Sequence, residues 1–190
     1  MTQPKDIKIL AACEQSQNLC SEFLALGFDA YSCDTQNCLG FYSSRHFKDD
    51  VFNVLDRNHF DCVIAFPPCT HLASSGAKHF AQKQADGRQQ QGIDFFMRFT
   101  QLNVPHVAIE NPVGIMSSHF RKPDQIVQPY QFGDEFSKRT CLWLKNLPLL
   151  TPTDLVDKGE YVEYESGKRV PKWYANLSKK DRDRVRSELS

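Results

Sequence analysis

IKILAACEQSQNLCSEFLALGFDAYSCD, residues 7–34, decides the fold. It opens on a short apolar run rich in strand formers, Ile7–Cys13, and turns through the polar residues EQSQ. Leu19, Phe23, Leu24 and Leu26 follow at helical spacing until Gly27 stops the helix. Phe28–Asp34 then reads as a second strand that ends on an acid. Strand, helix and strand within about thirty residues form the unit from which parallel sheets are built.

Outward from this unit the alternation continues. A loop over Thr35–Ser44, with Gly40 in it, leads to a short strand at RHF (residues 45–47) and a helix over Asp49–Asn58 with Val51, Val54 and Leu55 inward. FDCVIAF (residues 60–66) is the clearest strand. Gly87–Leu102 has a helical apolar face in Ile93, Phe95, Phe96, Phe99 and Leu102. Pro105 opens the strand HVAIE (residues 106–110), broken by NPVG, and RTCLWLKNLP (residues 139–148) reads as a late strand. A charged helix over Lys179–Leu189 ends the chain. The pattern predicts a three-layer α/β domain with a mostly parallel sheet and right-handed crossovers. The expected division is a Rossmann-like catalytic domain over residues 1–150 and a C-terminal extension, 151–190, packed on or beside it.

The 190 residues carry no net charge, with 41% hydrophobic and 24% charged residues, so no overall basic field points to nucleic acid. The distribution is uneven: residues 1–120 hold 9 Lys+Arg against 12 Asp+Glu, and residues 121–190 hold 14 against 11. That permits a basic face in the last third. Lys168, Arg169, Lys172, Trp173 and Tyr174 place cations beside aromatics there, a set that suits backbone contacts with base stacking or, as the plainer alternative, a docked tail. An odd count of seven cysteines, with no CxxC pair and no secretory segment, argues for reduced thiols and a cytoplasmic location. Cys33-x4-Cys38 has no second pair to complete a metal site, and no apolar run approaches a membrane span.

In open α/β sheets, ligands bind beyond the carboxyl ends of the strands. Three chemistry-bearing stretches fall there: Asp34, FPPCTHLASSG (residues 66–76) with Cys69, and Glu110-Asn111-Pro112. Cys69 lies outside its strand behind Pro67-Pro68, which fix the backbone and donate no hydrogen bonds. A thiol on so stiff a turn is an oriented nucleophile once a neighbour lowers its pKa. Glu110 ends an otherwise apolar strand. It is either the partner of Arg121 or Lys122, or a carboxyl that keeps its proton near neutrality and donates to a ring nitrogen. Asp34 occupies the place from which an acid holds ribose hydroxyls. The first turn has no GxGxxG, which argues against a pyrophosphate cofactor and leaves S-adenosylmethionine allowed.

These residues carry a resemblance. Pro67-Pro68-Cys69 resembles the proline–cysteine motif of the DNA cytosine 5-methyltransferases, and Glu110-Asn111-Pro112 their Glu-Asn-Val motif. Gln131-Phe132-Gly133, followed by Lys138-Arg139-Thr140 and a strand, is similar to a variant of their Gln-Arg-Arg motif. ACEQSQNLCSEFLALGFDAYSCD, FPPCTHLASSG, AIENPVG and QPYQFGDEFSKRTCLWLKNLP are closer to a small, mostly phage-associated branch of that family. The resemblance spans roughly residues 7–155.

It implies a Rossmann-like S-adenosylmethionine-dependent methyltransferase fold and methyl transfer to cytosine in DNA through a covalent Cys69 adduct. Cys69, Glu110 and Arg139 would be catalytic. Cys13, Glu14, Asp34, Asp50 and Pro67 would bind the cofactor, with Asp49 as the other register for Asp50. Pro68, Thr70, Asn111 and Lys138 would contact the substrate, Asn111 by bracing the loop of Glu110.

Two departures qualify that expectation. The family's Phe-x-Gly-x-Gly turn is replaced by CEQSQ (residues 13–17), so Gln15 and Ser16 crowd the methionine end of the cofactor or contact it differently. No room remains for the usual target-recognition domain, so reading a duplex needs a partner subunit, or the substrate is single-stranded DNA, RNA or a nucleotide. The alternatives are a degenerate relative that binds nucleic acid or nucleotide without methyl transfer, and a thiol-addition pyrimidine enzyme using another cofactor.

Overall fold

In the computed structural model, which describes residues 3–167, 169–178 and 181 (Trp173 by its backbone alone), β1 (Lys8–Ala12) lies inside a seven-stranded sheet. The other strands are β2 (Asp29–Asp34), β3 (His46–Lys48), β4 (Cys62–Ala65), β5 (His106–Pro112), β6 (Gln125–Val127) and β7 (Thr140–Lys145). Their order is β3-β2-β1-β4-β5-β7-β6. The pairs from β3 to β5 are parallel, and β7 runs antiparallel to both β5 and β6. The expected mostly parallel α/β architecture is therefore the one observed.

Successive side chains of a strand point to opposite faces, and both faces of β1 are buried. Leu10 and Ala12 join Val51, Phe52 and Val54 of α2 (Val51–Arg57) and Ile93, Phe96 and Phe99 of a long later helix in the larger core. Ile9 and Ala11 join Cys20 of α1 (Asn18–Ala25), with Leu19, Phe23 and Leu24 packed beside them, in the smaller one. Helices on both faces explain why these strands read as continuous apolar runs. The remaining helices are α3 (Phe80–Ala85), α4 (Arg88–Thr100, the long one), α5 (Met116–His119) and α6 (Lys172–Ala175).

The structure departs from the sequence expectation at particular places. The break expected at NPVG comes later, because Asn111 and Pro112 still pair with Cys141 and Thr140 of β7. Pro112 is the last residue of the strand, and β4 pairs with β5 only as far as Ile109, so the proline lies where one side of the ladder has already ended. The short elements α3, α5 and β6 carry too few apolar residues to announce themselves. Beyond residue 150, the chain runs along the segment before β7: Thr153 and Asp154 amides donate to the Gln131 carbonyl, and the Val156 amide donates to Tyr130. It then forms an antiparallel hairpin, β8 (Tyr161–Glu163) and β9 (Arg169–Pro171). Apart from Asp181, the helix expected over Lys179–Leu189 lies outside the described residues, as does the tail cation Lys168. Among the described residues, no helix is long and apolar enough to cross a membrane.

Candidate active site

A cleft of about 570 Å³ opens at the carboxyl ends of the parallel strands. Cys13, Glu14, Asp34, Pro68, Cys69, Thr70, Glu110 and Lys138 all line it. Four expected residues do not. Pro67 and Asn111 are buried behind the wall, Arg139 is exposed beside Lys138, and Asp50 is exposed at the start of α2, where its carboxylate accepts from the Phe52 amide at 2.8 Å. Asp49 is held by Arg57 and Asn53.

Cys69 follows β4 on a tight turn in which its own carbonyl accepts from both the Leu72 and Ala73 amides, each at 2.9 Å. The loop after β5 is stitched to this turn. Asn111 Nδ2 donates to the Pro67 carbonyl at 2.7 Å, the Ser74 amide to Val113 at 2.9 Å, and the Ile115 amide to Leu72 at 3.0 Å. Gly114 makes the approach possible, since a Cβ there would stand 2.2 Å from the Leu72 carbonyl oxygen. Gly114 and Leu72 were not singled out from the sequence; the NPVG glycine was the available signal. The turn of Cys69 is thus fastened to the loop that follows Glu110 and the end of β5.

Their environment is apolar and mixed in charge. Burial pushes the Glu110 carboxyl above its ordinary range, with Lys138 opposing. Arg121, offered as its ion-pair partner from the sequence, is instead committed to Asp124 at 2.7 Å. Burial, and then the negative charge of Glu110, pushes the Cys69 thiol up, while Lys138 and Lys83 favour the thiolate. A carboxyl that keeps its proton removes the main charge opposing the thiolate beside it, so the two groups suit opposite protonation states.

The first turn solves its missing glycines with side chains. Cys13 and Gln17 adopt φ of 61° and 62°, the left-handed region that glycine would enter without cost. Gln17 is wholly buried; its Nε2 donates to Ser32 Oγ and to the Tyr42 carbonyl, and its Oε1 accepts from the Tyr42 amide, all at 3.0 Å. Ser32 Oγ lies 2.8 Å from His46 Nδ1, and His46 Nε2 reaches the Gln36 carbonyl at 3.1 Å. Gln15 is turned to the 37–39 loop, donating to Asn37 and accepting from the Leu39 amide.

Glu14 carries the α1 terminus. Its two oxygens accept from the Leu19 amide at 2.6 Å and the Cys20 amide at 3.2 Å, satisfying donors that a helix leaves open at its start. Burial nonetheless raises its carboxyl pKa, against the pull of those amides and of His46. Burial, and next the neighbouring Asp34, pushes the Cys13 thiol far up, which disfavours its thiolate.

An S-adenosylmethionine-sized molecule fits these residues. The cleft lies within the ~300–1,000 Å³ typical of small-molecule sites. Asp34 offers a carboxylate, and Leu39 and Phe66 supply apolar wall.

No family model and no curated protein matches the chain. Solved structures do. One is a candidate DNA modification methyltransferase encoded within an E. coli prophage, with TM-score 0.51 and 16% identity over 80% of this chain. The likeness is one of fold. The match takes in 52% of that protein, so this chain spans about half its length.

Proposed function

We propose that the chain is a cytosine 5-methyltransferase-like enzyme acting on cytosine in DNA. The observation that carries this reading is the single cleft in which Cys69 and Glu110, from the ends of the adjacent strands β4 and β5, face the same space as Asp34 from β2. The Cys69 thiolate adds to ring carbon 6. Glu110, holding its proton, donates to ring nitrogen 3 and stabilises the charge that gathers there, so carbon 5 becomes nucleophilic. S-adenosylmethionine, held at the Cys13–Ser16 turn and by Asp34, supplies an electrophilic methyl group when bound. Loss of the carbon 5 proton then breaks the sulfur–carbon bond, restores the aromatic ring and frees Cys69.

Pro68 and Thr70 border the base, Pro67 and Asn111 brace the two loops from behind, and Lys138 faces the cleft. Arg139, turned outward, suits a DNA phosphate at the rim. Residues 1–150 act as the catalytic domain, and residues 151–190 as an extension that braces the rim segment carrying Pro129 and Asp134. Arg169 and Lys172, offered as backbone contacts, are turned to Glu163 and Glu160. Both pairs are exposed and lie within the hairpin or at its base, so duplex reading is assigned to a partner subunit, or the substrate is single-stranded DNA.

A second reading, binding without transfer, is favoured by one observation: Glu14 already occupies the first-turn amides of α1. Calorimetry with S-adenosylhomocysteine, followed by transfer of labelled methyl to single- and double-stranded DNA, separates the two. The enzyme reading expects micromolar binding, weakened at least about tenfold in Asp34→Ala by loss of a charge-assisted bond, and transfer abolished in Cys69→Ala. Absence of binding even with DNA present favours the second reading.

A further inference from the structure

Lys83 is the one lysine among the described residues counted as buried, 8% exposed, and it lies on α3 against the turn that carries Cys69. Its Nζ donates to the Thr70 carbonyl. Lysines are almost never fully buried unless paired. Yet no carboxylate among the described residues forms an ion pair with it, and Asp86, three residues on, is taken by Arg88. The loop closes over it, for a Cβ at Gly76 would stand 3.4 Å from Nζ. A buried lysine with no acid on it acts through the group to which it donates.

What it touches is the peptide immediately after Cys69. The Cys69 carbonyl is bonded by Leu72 and Ala73 and the Thr70 carbonyl by Lys83, so the first two carbonyls of the turn are fixed. The charged groups that face the thiol are Glu110 from β5, Lys138 from the segment before β7, and Lys83 from α3. Beside Lys83 stands His71, which also faces Asp86 and Arg88. Lys138 lines the cleft, where an incoming ligand competes for it. Lys83 is not among the lining residues and lies behind the turn.

We propose that Lys83 is a positioning residue for Cys69, fixing the turn through the Thr70 carbonyl and keeping a positive charge behind the thiol. The proposal rests on the reading of Cys69 as a nucleophile. Its test needs neither cofactor nor DNA: the rate of Cys69 alkylation by iodoacetamide, followed on the Cys69 peptide by mass spectrometry, against pH. Lys83→Gln keeps a donor for the carbonyl without the charge, Lys83→Met removes both, and Lys83→Arg keeps the charge.

The midpoint of the profile is expected to rise in the Gln and Met variants by less than about one pH unit, since Lys83 acts on the thiol more weakly than Lys138 does, and to stay near wild type in the Arg variant. If the Met variant does not fold, the Gln variant alone decides. An unchanged midpoint in a folded neutral variant, with only a lower melting temperature, would overturn the proposal and leave Lys83 a structural residue. A shifted midpoint in a protein that transfers no methyl group would uphold Lys83 and reject the enzyme reading.

Discussion

At the scale of single residues, the site rests on groups whose ordinary chemistry has been displaced. Glu110 is the clearest case: burial holds its carboxyl pKa above the ordinary 4.5. Between the unfolded and the raised folded value the native state binds more protons than the unfolded one, so stability falls as pH rises through that window. Glu110→Gln, which cannot ionise, is expected to melt higher than wild type at neutral pH and to lose that advantage as pH drops below 4.5. Thermal melts across pH check this, and a variant that melts lower at neutral pH would show that Glu110 is paired rather than stranded. Gly114 acts through space instead of charge. Gly114→Ala drives a methyl group into the Leu72 carbonyl, 2.2 Å away, and is expected to cost about 2–3 kcal/mol in urea unfolding, in the range of core overpacking. A loss under about half that would mean the two loops part easily.

At the scale of elements, the legible parts were those with long, periodic apolar faces. The unit from Ile7 to Asp34, the strand around Val63 and the helix around Phe96 all form where the pattern places them, because each is buried on the face or faces its spacing specifies. The short elements were not legible. α3 has one apolar residue of size, Phe80, and its buried member is Lys83, a residue type that reads as surface. β6 is three residues long and exists because β7 supplies its ladder. The strand ends bearing Asp34, Cys69 and Glu110 could be found by position; the fastening of their loops through Asn111, Gly114 and Leu72 could not, since it depends on contacts between distant segments. The first turn was legible only in part. Gln15 and Ser16 line the cleft, where the missing glycines pointed, but the closing of the turn from inside by the buried Gln17 could not be read. Gln17→Ala leaves the Tyr42 amide and carbonyl and Ser32 without that partner. The expected loss is roughly 2–3 kcal/mol by denaturant titration, from stranded buried polar groups, and a loss below about 1 kcal/mol would mean the loop over Leu39 and Tyr42 holds without it.

At the scale of the whole molecule, a doubly wound sheet delivers its strand ends to one cleft, and the antiparallel β7 with the segment before it supplies the opposite rim. In the proposed mechanism Cys69 attacks a pyrimidine whose far side is met by Glu110. Chemistry offers a direct trap: a fluorine in place of the carbon 5 hydrogen of cytosine cannot leave as a proton, so a methylated adduct cannot release the thiol. The account expects wild-type protein, given S-adenosylmethionine and a 5-fluorocytosine oligonucleotide, to form a one-to-one covalent complex, attached at Cys69 by mass spectrometry and missing in Cys69→Ala. A protein that binds the same oligonucleotide and cofactor yet forms no complex, or forms one through another cysteine, would contradict it.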